Sequence, residues 1–414
     1  MKVLIISHMY PSNANPAAGV FVRKQTEALV AAGVEAVIIN PVPWAPFFLC
    51  WNPRWRRYAQ IPDMEKDGAV PVYHPRYLEF PKGFLFASTA GRYYSGMAAV
   101  LHGLFEKWRP DVIQAHVAFP DGAAAIRFGE EYVIPVVVTV HGMDFLKTLQ
   151  RGPACERGVK QALNKADRVI LVSDTLRENF GIDQWMEDPD KCRVIYNGVN
   201  LTDIVTTDRQ AAQSGDFGHA TRTVDIGQAS PVLLTVGNLN KKKAHAYVLK
   251  ALPDLLRRFP QLVYRIVGEG EERGRLERMT DELGLRARVV FLGGLSHEEA
   301  MAEMAACTLM ALPSWDEGFG IVYLEAMAHG KPVIGTQGEG AAGLIERENV
   351  GLTVPARDSA AIARAACEIL GDKEIARAMG QRGREAIRTQ FTWSLNAKRT
   401  LSLYEEVLKE KRGQ

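Results

Sequence analysis

The stretch Thr308-Leu309-Met310-Ala311-Leu312-Pro313-Ser314-Trp315-Asp316-Glu317-Gly318-Phe319-Gly320-Ile321-Val322-Tyr323-Leu324-Glu325 reads as strand, loop and helix in immediate succession. The apolar run 308–312 predicts a buried parallel strand, and Ile321 onward predicts an apolar helix that Gly330-Lys331-Pro332 ends. Glu317 then stands at the strand's carboxyl exit and Glu325 two helical turns further on. A charge set among Ile321, Val322, Leu324, Ala326 and Met327 is out of place on a solvated face. Both carboxylates are therefore expected at the crevice along a sheet's carboxyl edge, where open α/β sheets bind ligands. The N–H groups of Gly318, Phe319 and Gly320 would open the helix and suit an anion. Two acceptors flanking an anion cradle fit a ligand with hydroxyls at both ends and phosphates between. A nucleotide-sugar has that layout.

Working outward, apolar strand runs alternate with helices along the whole chain. Strands are expected at Lys2–Ser7, Val34–Asn40, Val70–His74, Asp111–Gln114, Pro135–Val140, Arg168–Val172 and Arg193–Tyr196. Helices fill Phe21–Ala31, Thr89–Trp108, Gly122–Glu130, Ala154–Lys165 and Thr175–Phe180. Leu201 to Ser230 is rich in Thr, Asp, Gln, Gly and Ser and reads as a linker. The alternation resumes with strands at Val232–Val236, Leu262–Val267, Val289–Leu292, Leu309–Leu312, Pro332–Gly335 and Gly351–Val354. The expected fold class is α/β: two Rossmann-like, doubly wound domains, 1–200 and 231–390, facing each other across a cleft. A last helix, in 391–414, is expected to cross back onto the first domain.

Bulk composition fits that picture. At 414 residues the chain is too long for one ordinary core, and its 47% hydrophobic and 24% charged content suits a globular protein. A net charge of +2 argues against nucleic acid as a partner. Cys50, Cys155, Cys192, Cys307 and Cys367 show no metal or disulfide spacing, which favours a reducing cytoplasm. The opening Met1 to Ser7 run is too short for a signal peptide and reads as a first buried strand.

Further candidates lie at other strand exits. Lys243 closes the run Gly237-Asn238-Leu239-Asn240-Lys241-Lys242-Lys243 and could stabilise a departing diphosphate, while Lys241 and Lys242 read as a solvated turn. His141, in His141-Gly142-Met143-Asp144, follows a buried strand and could hydrogen-bond a sugar hydroxyl. His116 has the same placement after Asp111 to Ala115, and Gly19 in the loop 13–21 would let backbone approach a ligand. Gly338-Glu339-Gly340-Ala341-Ala342-Gly343 matches a dinucleotide fingerprint with Asp358 near the expected offset. It comes at the end of the second sheet, before a helix too short for a crossover, so a dehydrogenase is rejected. Asp188-Pro189-Asp190 spells a metal-site string but sits in a polar turn, and no metal or cofactor is expected. The segment 44–58 combines aromatics with Arg54, Arg56 and Arg57 and contains no acid. It could rest on an anionic membrane, grip an acceptor's phosphate, or pack its aromatics onto the first domain.

Together these residues resemble the retaining glycosyltransferases of family 4 (group 1), which have the GT-B fold. The resemblance rests on the Gly19 loop, His141 to Asp144, Asn197-Gly198-Val199, Gly237 to Lys243, the Glu-x7-Glu pair and Phe391-Thr392-Trp393. Ser7-His8-Met9-Tyr10-Pro11 and Gly338-Glu339-Gly340 look closest to bacterial envelope-polysaccharide members of the teichuronic-acid type. The resemblance implies that Glu325 holds the ribose, Glu317 the donor sugar, and Lys243 the leaving diphosphate. It implies that His141 contacts the transferred sugar, with Asn238, Gly318, Phe319, Gly320 and Gly19 also on the donor side. His116 and Asp144 would serve the acceptor, a glycan or lipid-linked saccharide. Asn238 stands where many members carry arginine, and Ala244 replaces a usual glycine, which leaves Lys243 to bear more of the phosphate stabilisation. An epimerase of the same fold and a non-catalytic nucleotide-sugar-binding protein are the alternatives. The expected location is cytoplasmic, including the inner face of the plasma membrane.

Overall fold

The computed structural model describes residues 1–12, 14–16, 18–80, 83–201 and 230–413. The expected linker 201–230 thus lies almost wholly outside the described residues, as do positions 13 and 17 of the Gly19 loop. The chain forms two compact units, Met1–Asn197 with Trp393–Gln414, and Gly198–Thr392.

The strands of the first unit are β1 (Lys2–Ile6), β2 (Glu35–Ile39), β3 (Val42–Pro43), β4 (Met64–Asp67), β5 (Val70–Tyr73), β6 (Arg76–Tyr77), β7 (Val112–His116), β8 (Val136–Val140), β9 (Arg168–Leu171) and β10 (Cys192–Val194). Eight of them form one sheet in the order β10-β9-β8-β7-β1-β2-β5-β4, while β3 and β6 make a separate short ladder. Every residue of β7 and β8 is buried, which is why these strands read as unbroken apolar runs. The edge strand β4 lies outside the strands expected from the sequence. Its sequence, Met64-Glu65-Lys66-Asp67, carries the charge that keeps a free sheet edge from pairing with other chains, and it runs antiparallel to β5.

The helix Trp393–Gly413 belongs to this unit's interior: Ala397, Leu403, Tyr404 and Val407 join Val3, Ile5, Val22 and Leu29 in one core. Polar groups fix its register. Gln25 donates to Asn396 at 2.7 Å, Asn396 donates to the Tyr196 carbonyl at 2.7 Å, and the Tyr404 hydroxyl donates to Gln114.

The second unit contains β11 (Val232–Val236), β12 (Val263–Val267), β13 (Val289–Gly293), β14 (Leu309–Ala311), β15 (Val333–Thr336) and β16 (Gly351–Val354). Its order is β13-β12-β11-β14-β15-β16, with all neighbours parallel. The strand order reverses beside β11 in this unit and beside β1 in the first. Adjacent loops there leave in opposite directions, opening a crevice at the strands' carboxyl ends. In the second unit the loops that flank it follow β11 and β14, the two singled out by Lys243 and Glu317.

Candidate active site

The loop after β11 winds into a short turn, Lys241–Lys243, whose last N–H is capped by Asn240 Oδ1 at 3.2 Å. The Lys243 stem passes over Gly237, and its ammonium is ion-paired with Glu317 Oε2 from the loop after β14. Ser314 Oγ donates to the same carboxylate oxygen at 3.4 Å. The Glu317 N–H donates to Glu339 Oε2 at 3.0 Å, and the Glu317 carbonyl accepts from the Gly340 N–H at 3.2 Å. Three loops are thereby laced around one carboxylate. Burial pushes the Glu339 carboxyl above its ordinary range.

The helix Ile321–Ala328 begins directly after Gly320, which has φ 84°. A Cβ at Gly320 would lie 2.7 Å from the Tyr323 ring, so only glycine makes this entry. Glu325 lies in that helix with its side chain 15% exposed and Oε1 4.0 Å from Nδ1 of His297. Asn238 is exposed at the exit of β11, and its carbonyl accepts from the Asn240 N–H at 2.9 Å. Gly340 serves the protein itself: a Cβ there would come within 2.7 Å of the Phe319 carbonyl. Asp358 accepts from the Ala361 N–H and caps the helix Ser359–Gly371. Asp188 caps its own turn in the same way.

In the first unit His116 pairs in register with Thr139, so His141, two residues further along, emerges beside it. His116 Nδ1 and His141 Nε2 are 2.9 Å apart, with the rings stacked at 13°, and Phe21 covers His141 at 4.4 Å. Burial pulls His116 down to about 3 and, with His116 beside it, holds His141 well below its ordinary value. Both rings are neutral at pH 7, so His141 can offer a hydrogen bond but not a positive charge.

Two residues expected at ligands, His116 and Asp144, are buried, and a third, Gly19, lies against the chain's own backbone. His116 is buried, with its Nδ1 against His141 Nε2. Asp144 is fully buried too; its Oδ1 accepts from the N–H groups of Ala118 at 2.7 Å and Phe119 at 3.3 Å, and burial raises its carboxyl to about 7. At Gly19, φ 51°, a Cβ would fall 1.9 Å from the Met9 carbonyl, so the missing side chain makes room for the chain's own backbone.

Two family descriptions cover most of the sequence: "Glycosyl transferases group 1" over residues 221–386 and "Glycosyltransferase Family 4" over residues 18–203. The chain belongs to this glycosyltransferase family. TuaC of Bacillus subtilis (strain 168), described as a glycosyltransferase of teichuronic acid biosynthesis, is 27% identical over 99% of both chains. Sucrose-phosphate synthase of Thermosynechococcus elongatus shares the fold with a TM-score of 0.77 at 23% identity, covering 99% of this chain and 100% of that one. HepE of Anabaena, solved with UDP and glucose, superposes with a TM-score of 0.69 at 20% identity over 98% and 100% of the two chains. These likenesses make the fold of the glycosyltransferase GT-B.

Sequence reasoning missed the group nearest the first unit's switch point. His8, at the exit of β1, has Nδ1 2.5 Å from Asp121 Oδ2, and its N–H donates to Asp121 Oδ1 at 2.8 Å. Desolvation alone would lower its pKa; the Asp121 carboxylate reverses this and holds it above the ordinary value. The placement argument that found His141 applies equally to a histidine just after Lys2 to Ser7. Its partner, 113 residues away, carries no such signal.

Proposed function

We propose that this glycosyltransferase transfers a sugar from a nucleoside-diphosphate donor, a UDP-sugar, to an acceptor hydroxyl with retention at the anomeric carbon. The observation that carries the reading is the Lys243–Glu317 ion pair at the β11/β14 crevice, beside the glycine-opened helix that bears Glu325. Lys243 and the N–H groups of 318–320 face the diphosphate, Glu325 accepts from the ribose hydroxyls and Glu317 from those of the sugar. The first unit takes the acceptor, a glycan or lipid-linked saccharide of a bacterial envelope polysaccharide. UDP and UDP-glucose in HepE, and the biosynthetic role ascribed to TuaC, support these choices.

In this mechanism the bond from C1 to the phosphate oxygen breaks as the acceptor oxygen attacks the same face. The acceptor's proton passes to the departing phosphate oxygen. No strong base is required at C1, in keeping with a neutral His141 that only donates a hydrogen bond. Lys243 and the helix start supply the charge stabilisation, so the reaction runs without a metal and EDTA leaves it unchanged.

The segment 44–58 contacts an anionic membrane surface. Phe47, Phe48 and Trp51 are 88%, 61% and 75% exposed, which counts against their packing onto the first unit. Arg54 and Arg56 sit beside them on the short helix Pro53–Ala59. Among the described residues no helix is long and apolar enough to cross a membrane.

The test is nucleoside-diphosphate release from a panel of nucleotide-sugars, with and without membrane extract. Acceptor-dependent UDP release supports transfer. Donor turnover that ignores the extract points to an epimerase, and binding without release points to a carrier.

A further inference from the structure

A cavity of about 240 Å³ opens at the carboxyl edge of the first unit's sheet, next to His8. Arg92, Lys147 and Arg151 line it. Among the described residues none of the three is paired with a carboxylate. Arg92 is held by neutral oxygens, donating to the Leu78 carbonyl at 2.7 Å and to Thr89 Oγ1 at 2.8 Å, and it lies over the Phe80 ring at 5.0 Å. Arg151 lies over the Phe86 ring at 4.0 Å. The guanidinium groups are thus oriented while their charge is left uncompensated.

The acids nearby are already engaged. Glu79, which lines the same cavity, lies 3.5 Å from Arg54 and accepts from the Tyr77 hydroxyl. Asp121 is taken up by His8. Three cations on an open surface are usually just solvated. Here they line one concave site at a switch-point crevice, against aromatic walls, and its lining acid, Glu79, is matched to Arg54. Such a site attracts a compact anion.

We propose that this cavity binds a phosphate group of the acceptor, through Lys147 and Arg151 with Arg92 behind them. The proposal rests on reading the first unit as the acceptor side. A soluble sugar phosphate and a lipid-linked phosphate share this chemistry. The exposed Phe84 and Leu85 beside the cavity, and the 44–58 segment tied to it by the Arg54–Glu79 and Trp44–Tyr77 contacts, suit the lipid-borne form.

The full-length protein saturated with UDP, so that its donor site is filled, is titrated with inorganic pyrophosphate by calorimetry. Binding is expected, and Lys147→Ala/Arg151→Ala should weaken it at least tenfold while leaving UDP affinity unchanged. Arg151→Lys should restore part of the loss, which a merely structural role would not predict. In transfer assays the double variant should raise the acceptor KM about tenfold with little change in kcat. Supplying the lipid phase and the aqueous phase of a membrane extract separately identifies which source of phosphate is used. Absence of pyrophosphate binding to the UDP-saturated protein, or equal binding by the double variant, overturns the proposal even if UDP release remains acceptor-dependent. Loss of acceptor dependence with pyrophosphate binding intact instead overturns the underlying assignment.

Discussion

Lys243 and Glu317, 74 residues apart, form an ion pair that joins the loops leaving β11 and β14. Each side chain is only about a fifth exposed, so each charge depends on the other for solvation. Glu317→Ala should leave the fold intact and lower kcat by about 100-fold, the usual cost of removing a group that stabilises the transition state. Lys243→Ala should act first on the diphosphate, weakening UDP binding at least tenfold. Steady-state kinetics with calorimetry separates the two, and wild-type turnover by Glu317→Ala would end its assigned role.

Glu325 should read the ribose. A carboxylate accepting from ribose hydroxyls contributes about 1.5–3 kcal/mol, so Glu325→Ala should weaken UDP binding roughly 10- to 100-fold. The sharper test is 2′-deoxy-UDP. Wild-type protein should prefer UDP, and the variant should bind both nucleotides alike.

Ala244 occupies the left-handed region, φ 60° and ψ 15°, directly before the helix His245–Arg258. An alanine there costs about 1–2 kcal/mol relative to an unstrained residue, which is the physical reason to expect glycine at this place. Ala244→Gly should raise stability by about 1 kcal/mol after the added chain entropy is counted. Urea unfolding measures it.

The pH dependence of stability follows from groups whose protonation desolvation has shifted, three of them neighbours in the first unit. Unfolded His116 binds a proton below 6.5, whereas the folded residue resists down to about 3. His141 behaves likewise, so both remove stability as pH falls below 6.5. Asp144 has the opposite sign: raised from 3.8 to about 7, it is protonated in the fold while ionised in the unfolded chain, and it removes stability as pH rises through that window. Each group contributes a slope of about 1.4 kcal/mol per pH unit. His245, lowered by burial to about 4, adds to the loss at low pH and Glu339, raised by burial, opposes it, so three histidines outweigh two carboxyls and stability should fall towards pH 4. Asp144→Asn keeps an acceptor for Ala118 and Phe119, and its stability relative to wild type should be higher at pH 8 than at pH 4. Urea unfolding at the two pH values checks the sign.

Strands buried on both faces were legible because no polar alternation interrupts them, and their observed ends fall within one or two residues of expectation. The Glu317 loop was legible because Gly318 and Gly320 follow that acid and a second acid, Glu325, stands among apolar residues just beyond them. What escaped depends on neighbours distant in the chain. The contact of His116 with His141 shows only once β7 and β8 are known to pair, and that of His8 only once Asp121 is beside it. The edge strand β4 escaped because the charges that protect an edge also erase the apolar pattern of a strand.

Ala397, Leu403, Tyr404 and Val407 belong to the core of the unit that starts at Met1. Synthesis runs the other way round: residues 1–197 cannot close their interior until residues 393–413, made much later, have left the ribosome. At 5–20 residues per second that delay is roughly 10–40 s, during which apolar surface stays open to chaperones and to other nascent chains. A stop codon placed just before Trp393 would therefore harm the opening half of the protein, whose own codons are untouched.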